Sequence, residues 1–367
     1  MFLFKYYRPD FFFDKAIRYN ELYFSSTEQL NDPNDLKTSY FFEDNIPFWQ
    51  ALLESESSSG IKQLNVLLDL KDQNLAKELC ILFLGTSIDG TIEGLEFIFN
   101  RYDQEITTIL INYIRNISTI EMDLPADENK SIPMLLSLCK NGIKERILKG
   151  LRVGVYSVSF STDALQPMMW AHYAGGFKGC VVIYNAPNNT IPLKRNIYSK
   201  DYYNFQVDSV IYQDHEKHIP ILKSVLSNDN AIRETLLVKN TFWHYESEKR
   251  IFLTKRYISH GFSEFNLVTS DISERIYHHD PSTIAGVIFG PNFNTEKMDS
   301  IELLLRDNRR HTPCAPFYLF ETELMSNGTI KIVNGKQVES SFQSGETGAI
   351  SHKELPKLLS KLKINLS

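Results

Sequence analysis

The sequence is short of the features that anchor several large classes of protein. Its 367 residues include four cysteines, Cys80, Cys139, Cys180 and Cys314, and no two of them form a C-x-x-C pair. That spacing excludes a disulfide framework and a zinc ribbon, and it fits a reducing compartment. No run of about 18 apolar residues occurs, so no spanning helix and no membrane partner is expected. The opening MFLFKYYRPDFFF is aromatic. Lys5, Arg8 and Asp10 interrupt it, and it has neither the apolar core nor the cleavage site of a signal peptide. The expected location is the cytoplasm. Positive charge is in deficit, with 39 Lys and Arg against 45 Asp and Glu and a net charge of -6. Bulk nucleic-acid binding is therefore disfavoured. There is no G-x-S-x-G elbow, and the glycines fit neither a Walker loop nor a dinucleotide fingerprint. His215-x-x-His218 and His278-His279 lack a third ligand at a characteristic spacing, so no metal is expected.

Rings are abundant, with 24 Phe and 18 Tyr against three Trp. Hydrophobic residues make up 43% of the chain, ample for one large core or two smaller ones. The patterning predicts strands at residues 2–7, 22–25, 153–161, 180–184, 209–212, 249–254 and 284–289. A helix is expected over 10–19, with Pro9 near its start, and a long helix over 218–240. The Asn327-Gly328 pair marks a hairpin over 323–332. Residues 46–149 carry helical periodicity, with Leu64, Leu67, Leu68 and Leu75 on one apolar face and Leu95, Ile98, Ile106 and Leu110 on another. Loops are expected at 55–60 and 123–129. The fold expected is α+β. A mixed or antiparallel β core with flanking helices spans residues 1–45 and 150–335, an all-helical insertion spans 46–149, and a tail over 336–367 ends in a basic amphipathic helix at 352–364.

Three clusters can carry chemistry. The first is Trp170-Ala171-His172-Tyr173, which places an indole, an imidazole and a phenol ahead of Gly175, Gly176 and Gly179. These rings either close over the core or wall a cleft. The glycines permit positive φ or close backbone approach. The second is Tyr245-Glu246-Ser247-Glu248-Lys249-Arg250. Read as an extended strand over 245–253, it puts Glu246, Glu248 and Arg250 on one face, with the carboxylates roughly 7 Å apart. That face is either a solvated ion pair worth about 0–1 kcal/mol or a carboxylate pair that stabilises a developing cation and moves a proton. The third is Asn31-Asp32-Pro33, a turn that either ends there or also presents Asp32 to a cleft.

Together these pieces resemble the uncharacterised bacterial family called domain of unknown function 2971. The resemblance rests on Lys5-Tyr6-Tyr7-Arg8, on Leu22-Tyr23-Phe24-Ser25-Ser26 and on Asn31-Asp32-Pro33. It continues through Met169-Trp170-Ala171-His172-Tyr173-Ala174, then Trp243, Tyr245, Glu246, Glu248 and Arg250, and closes on Ile284, Val287 and Gly290. It covers residues 1–45 and 150–335. The motif order is also similar to that of ADP-ribosyltransferases, which place a His or Arg on the first strand, a Ser or Tyr on a middle strand and a catalytic Glu on a later one. Here Lys5 or Arg8, Ser159 or Ser161 with Tyr173, and Glu248 follow that order. Lys5 replaces the expected His, and no Ser-Thr-Ser is present.

That resemblance implies a nucleotide ligand, with NAD as co-substrate, and a bacterial defence or toxin role. Glu248 and Glu246 are the implied catalytic pair. Lys5, Tyr7, Arg8, Asp32, Ser159, Ser161, Trp170, His172, Tyr173 and Arg250 are the implied binding residues, and the helical insertion would select a target or protein partner. Two other readings stay open: a non-catalytic nucleotide- or peptide-binding regulatory module, and a metal-dependent nuclease using Asp32, Glu246 and Glu248.

Overall fold

A computed structural model describes residues 1–32, 34–36, 39–55, 73–114, 128–214, 218–226, 233, 236–260, 264–267, 271–310, 315–339 and 347–364. The fold is α+β, as the patterning implied. Its main sheet runs in the order Asp208–Ser209, Glu248–His260, Arg152–Ser161, Phe2–Tyr7, Cys180–Asn185, Ile284–Phe289, Phe317–Leu324, Ile330–Val338 and Thr347–Ala349. Neighbours are antiparallel except Ile284–Phe289 and Phe317–Leu324. A parallel pair needs a crossover, and the Met298–Arg309 helix supplies it. Asn327-Gly328 turns the expected hairpin, with Gly328 at φ 82°.

The period-2 pattern of the strands sorts the core. On Phe2–Tyr7, Leu3 and Tyr7 enter one apolar cluster, while Phe4 and Tyr6 enter the cluster on the opposite face. The central Cys180–Asn185 strand is buried from Cys180 to Tyr184, because helices and loops cover both of its faces. Gly179 fits here because a Cβ at that position would sit 2.0 Å from the Tyr7 carbonyl oxygen.

One local feature of the sheet makes the site. Phe2–Tyr7 pairs with Cys180–Asn185 along its whole length. Against Arg152–Ser161 on its other side it registers at a single pair, Phe4 with Ser161. Past that pair the two strands part, and Ser25–Ser26 takes up the edge at Ser157 and Tyr156. A cavity opens in the gap.

A second core is built by the helical region. Phe42, Trp49 and Phe83 stack at its centre, with ring centroids 5.0–5.7 Å apart. Leu95, Ile98, Ile106 and Leu110 are buried in it as the periodicity implied, although they lie on two helices, Ile92–Arg101 and Asp103–Ile114. The expected loop at 123–129 and Leu64, Leu67 and Leu68 fall on or largely within residues outside those described, as does most of the loop at 55–60. This core also recruits Tyr40, Ile219, Ile221 and Leu222. A small sheet of His218–Pro220, Ser39–Phe41 and Ser87–Ile88 ties those segments together.

The long helix expected over 218–240 is not what forms. His218–Pro220 is a strand paired with Ser39–Phe41, and the Ile221–Leu226 helix starts after Pro220. Val238–Lys239 is a strand parallel to Ile211–Tyr212. Apolar spacing alone did not reveal these partners, which lie far away in sequence. The amphipathic tail helix is present as Leu355–Lys361, with Leu355 and Leu359 buried.

Candidate functional site

The cavity in the split sheet holds about 420 Å³, within the ~300–1,000 Å³ typical of small-molecule sites. Lys5, Tyr7, Arg8, Asp32, Ser159, Ser161, Tyr173, Glu246 and Glu248 all line it. These residues come from four distant stretches of the chain. The topology gathers them because the strands bearing Glu248, Ser159 and Lys5 are consecutive in the sheet.

Its floor is a buried charge cluster. Asp35, Lys239, Glu246, Glu248 and Arg250 are each at most 6% exposed. The Arg250 guanidinium clamps Glu248 with two bonds, Nε to Oε1 at 2.7 Å and Nη2 to Oε2 at 2.8 Å. Its other edge donates to Asp35 at 2.8 and 2.5 Å. Lys239 Nζ donates to Glu246 at 2.5 Å and to Glu248 at 3.0 Å, and lies 3.4 Å from Asp35. Burying charges is costly unless each is paired and hydrogen-bonded, and this cluster meets that condition. The surface ion pair considered for Glu248 and Arg250 is therefore a buried network. Arg250 is fully engaged beneath the cavity and does not line it.

The extended strand expected over 245–253 starts three residues late. Thr241–Glu246 is a 3-10 turn, and Ser247 adopts a left-handed φ of 45° before the strand begins at Glu248. Glu246 and Glu248 therefore do not share one face of a continuous strand. The turn swings Glu246 back so that both carboxylates meet the same ammonium. Ser161 fixes this turn by donating from Oγ to the Glu246 carbonyl at 2.7 Å, and Thr162 N donates to the Ser247 carbonyl at 3.0 Å.

The two carboxylates sit in different electrostatic states. Burial alone would push Glu248 up. Arg250 and Lys239 outweigh it and hold the carboxyl at about 2, helped by hydrogen bonds from Arg250 and Ser159. Glu246 is raised, because burial outweighs the opposing pull of Lys239. Tyr173 donates to Glu246 Oε1 at 2.6 Å, and burial together with the Glu246 charge keeps its phenol protonated. Replacing Tyr173 by Phe is expected to cost about 1.5–3 kcal/mol, the range of a hydrogen bond to a charged group. Urea denaturation of the variant checks this, and a loss below about 0.5 kcal/mol would count against the bond.

On the opposite wall, Lys5 Nζ donates to the Ser159 carbonyl at 3.2 Å and lies 5.5 Å from the centre of the Tyr7 ring. Desolvation brings its ammonium down to about 8, against a smaller upward pull from Glu248. Tyr7 is tied to Tyr184, hydroxyl to hydroxyl, at 3.0 Å. Arg8 is exposed at the rim and donates to the His172 carbonyl at 3.3 Å. Asp32 both forms its turn, accepting from Asn34 N at 2.9 Å, and lines the cavity; Pro33 lies outside the described residues. Ser157 also lines the cavity, is 2% exposed, and has no partner for its hydroxyl among the described residues.

Two ring positions differ from the sequence reading. Trp170 is wholly buried, donating from Nε1 to the Ala164 carbonyl at 2.9 Å and meeting Tyr6 edge-on at 5.6 Å. It supports the strand behind the cavity, the core-closing alternative of the sequence reading. His172 is exposed and its side chain does not line the cavity. The aromatic wall comes instead from Phe12 and Tyr23, whose ring centroids are 5.5 Å apart. Tyr23 is held by Arg275 over its ring at 5.2 Å and by its bond to Gln29 at 3.0 Å.

Sequence reasoning missed Lys239, Asp35, Phe12 and Tyr23 as site residues. Lys239 was hidden inside an apparent helix. Asp35 follows the Asn31-Asp32-Pro33 turn by two residues, and that nearness was the available signal. Among the described residues no group of three or more acidic, His or Cys side chains is arranged to hold a metal ion, and no helix is long and apolar enough to cross a membrane.

Residues 169–251 match the model of the family described as Protein of unknown function (DUF2971). That span opens on the Met169-Trp170 block and closes on the Glu248–Arg250 block, so the resemblance read from the sequence holds there. No curated protein and no solved structure matches the chain.

Proposed function

We propose that the split-sheet cavity binds a nucleotide and cleaves its N-glycosidic bond, with NAD as the substrate and transfer of ADP-ribose or its hydrolysis as the outcome. The observation that carries this reading is that Lys5, Ser159 and Glu248, on three adjacent strands, face one cavity together with Glu246 and Tyr173. Lys5, Arg8 and Lys15 line it and suit phosphate oxygens. The Phe12–Tyr23 pair suits a base, since planar rings stack on aromatic faces. The unpartnered Ser157 hydroxyl offers one more polar contact.

In this mechanism the bond from ribose C1′ to the nicotinamide ring nitrogen breaks, and its electron pair leaves with neutral nicotinamide. Glu248, ionised throughout the neutral range, faces the positive charge left on the ribose. Preorganised charge aimed at a developing cation is the largest single contribution in such reactions. Water or an acceptor group then bonds C1′ and gives its proton to Glu246. The raised Glu246 carboxylate is the better base of the two, because proton affinity follows pKa. Incubating the protein with NAD and measuring released nicotinamide by mass spectrometry tests the reading. Absence of both nicotinamide release and protein labelling would overturn it.

One observation favours a second reading. Arg250 and Lys239 already saturate Glu248, which suits a module that holds a nucleotide without cleaving it. In that case NAD binds, no nicotinamide appears, and Glu248→Gln leaves the affinity unchanged.

Lys5 gives the site a pH signature. Its ammonium falls from the ordinary 10.5 to about 8 in the folded chain. Between those values the unfolded chain holds more protons, so this group makes stability rise with pH across that window. An anionic ligand needs the charged form. Nucleotide affinity is therefore expected to be flat below about pH 8 and to weaken above it. Isothermal titration across pH 6.5–9.5 checks this, and in Lys5→Met the step should vanish.

A further inference from the structure

A second and larger cleft, of about 1300 Å³, lies against the first. Asp32, Asp35 and Lys239 line both, so the buried charge cluster is the partition between them. One wall of the larger cleft is helical-region chain, Leu84 to Asp89 with Phe97 and Arg101 from the Ile92–Arg101 helix. The other is core chain, Gln213, Asp214, Val238 to Asn240, Phe242 and Trp243. Trp243 sits on the partition, with Lys239 Nζ 5.0 Å from the centre of its ring.

Three properties narrow the occupant. The volume exceeds the ~1,000 Å³ upper range of small-molecule pockets, which points to a segment of a macromolecule. Large apolar side chains line it while facing water: Leu84 is 53% exposed, Phe97 66% and Phe242 84%. Clustered exposed apolar surface marks an interaction site. The charge is one-sided. Asp35 and Lys239 are committed to the cluster, which leaves Asp32, Asp89 and Asp214 against Arg101 among the described Asp, Glu, Lys and Arg of the lining. A polyanion is repelled by that balance, because nucleic-acid affinity comes mainly from cationic contacts to phosphate. The Ser87–Ile88 strand, which ends its three-stranded sheet, also lines the cleft and suits main-chain pairing with an extended chain.

We propose that this cleft binds an extended, positively charged polypeptide segment, with a large apolar side chain seated among Leu84, Phe97 and Phe242. Asp32, Asp35 and Lys239 are shared with the nucleotide cavity, so a bound segment that reaches past Asp32 into that cavity would be the acceptor of the reaction. That role rests on the proposed function, whereas the binding itself does not.

Fluorescence anisotropy with labelled ten-residue probes tests the proposal: a peptide alternating lysine with phenylalanine and leucine, the same peptide with glutamate for lysine, and an oligothymidylate of equal length. The lysine peptide is expected to bind with Kd on the order of 10–100 µM, and the other two at least about tenfold more weakly. The Phe97→Ser/Phe242→Ser double variant, altered only at exposed positions, should lose about tenfold in affinity. Arg101→Glu should tighten binding several-fold. Glu248→Gln, if folded, should bind as wild type does. Equal or tighter binding of the glutamate peptide or the oligonucleotide, no binding of the lysine peptide, or indifference to the Phe97/Phe242 change overturns the cleft assignment. Nicotinamide release by wild type would stand regardless. Peptide binding without any release would instead leave the cleft and remove the enzyme.

Discussion

Glu248→Gln is expected to lower nicotinamide release by about two to three orders of magnitude, the usual loss when one preorganised electrostatic contact to the developing charge is removed. The substitution keeps the shape of the side chain and removes its charge. Charge is what the proposed step requires, and Arg250 with Lys239 keeps Glu248 ionised to about pH 2. The variant retains the Asp35–Arg250 and Glu246–Lys239 bonds, so circular dichroism should show an unchanged fold. Lys5→Met serves as a second probe because its side chain lies outside the cluster; it should weaken nucleotide binding and leave the cluster intact. A folded Glu248→Gln protein that releases nicotinamide at the wild-type rate would end the assignment of Glu248.

Arg250→Met is expected to be the most damaging single change to stability, at about 3–5 kcal/mol. Removing one partner of a buried pair leaves uncompensated charge behind. Here it strands two carboxylates, Asp35 and Glu248, with Lys239 as their remaining cation. Urea unfolding should show a lower midpoint at unchanged slope. The pH dependence separates this cause from lost packing. A carboxyl held at about 2 when folded contributes stability that is complete above its unfolded value, 4.5, and is lost as pH falls toward 2. The variant lacks that contribution, so the gap between it and wild type should narrow steadily below about pH 4.5. A gap below 1 kcal/mol at pH 7, or one independent of pH, would mean that the network carries little of the fold's stability.

The two effects share an origin. The cluster that makes Glu248 a permanent anion also makes it structural. An active site of this kind depends on a neighbouring cation to hold its carboxylate ready, and the same cation competes with the substrate's developing charge. Glu246 shares Lys239 but not Arg250, and burial outweighs that one ammonium. It touches Lys239 and Tyr173, and burial leaves it free to take a proton. That division of labour between two carboxylates is what neighbouring environments produce when they push pKa values apart.

Much of this was legible in the residues, and the rest had a definite reason not to be. Apolar patterning predicted the Phe2–Tyr7 and Ile284–Phe289 strands to the residue, and their side chains divide between the cores on the two faces of the sheet. Asn327-Gly328 specified its hairpin through local backbone preference. The order of Lys5, Ser159 and Glu248 along the chain was visible, and so was the pairing of Glu248 with Arg250, two residues apart on one strand face. What no local pattern encodes is the single registered pair between Phe2–Tyr7 and Arg152–Ser161, whose parting creates the cavity. Nor could spacing show that Ser247 would turn left-handed and redirect Glu246, that Trp170 would be drawn into the core while Phe12 and Tyr23 formed the wall, or that Lys239 would leave an apparent helix to neutralise three acids. Each of these depends on groups distant in sequence or on the burial of charge, and burial is a property of the assembled fold.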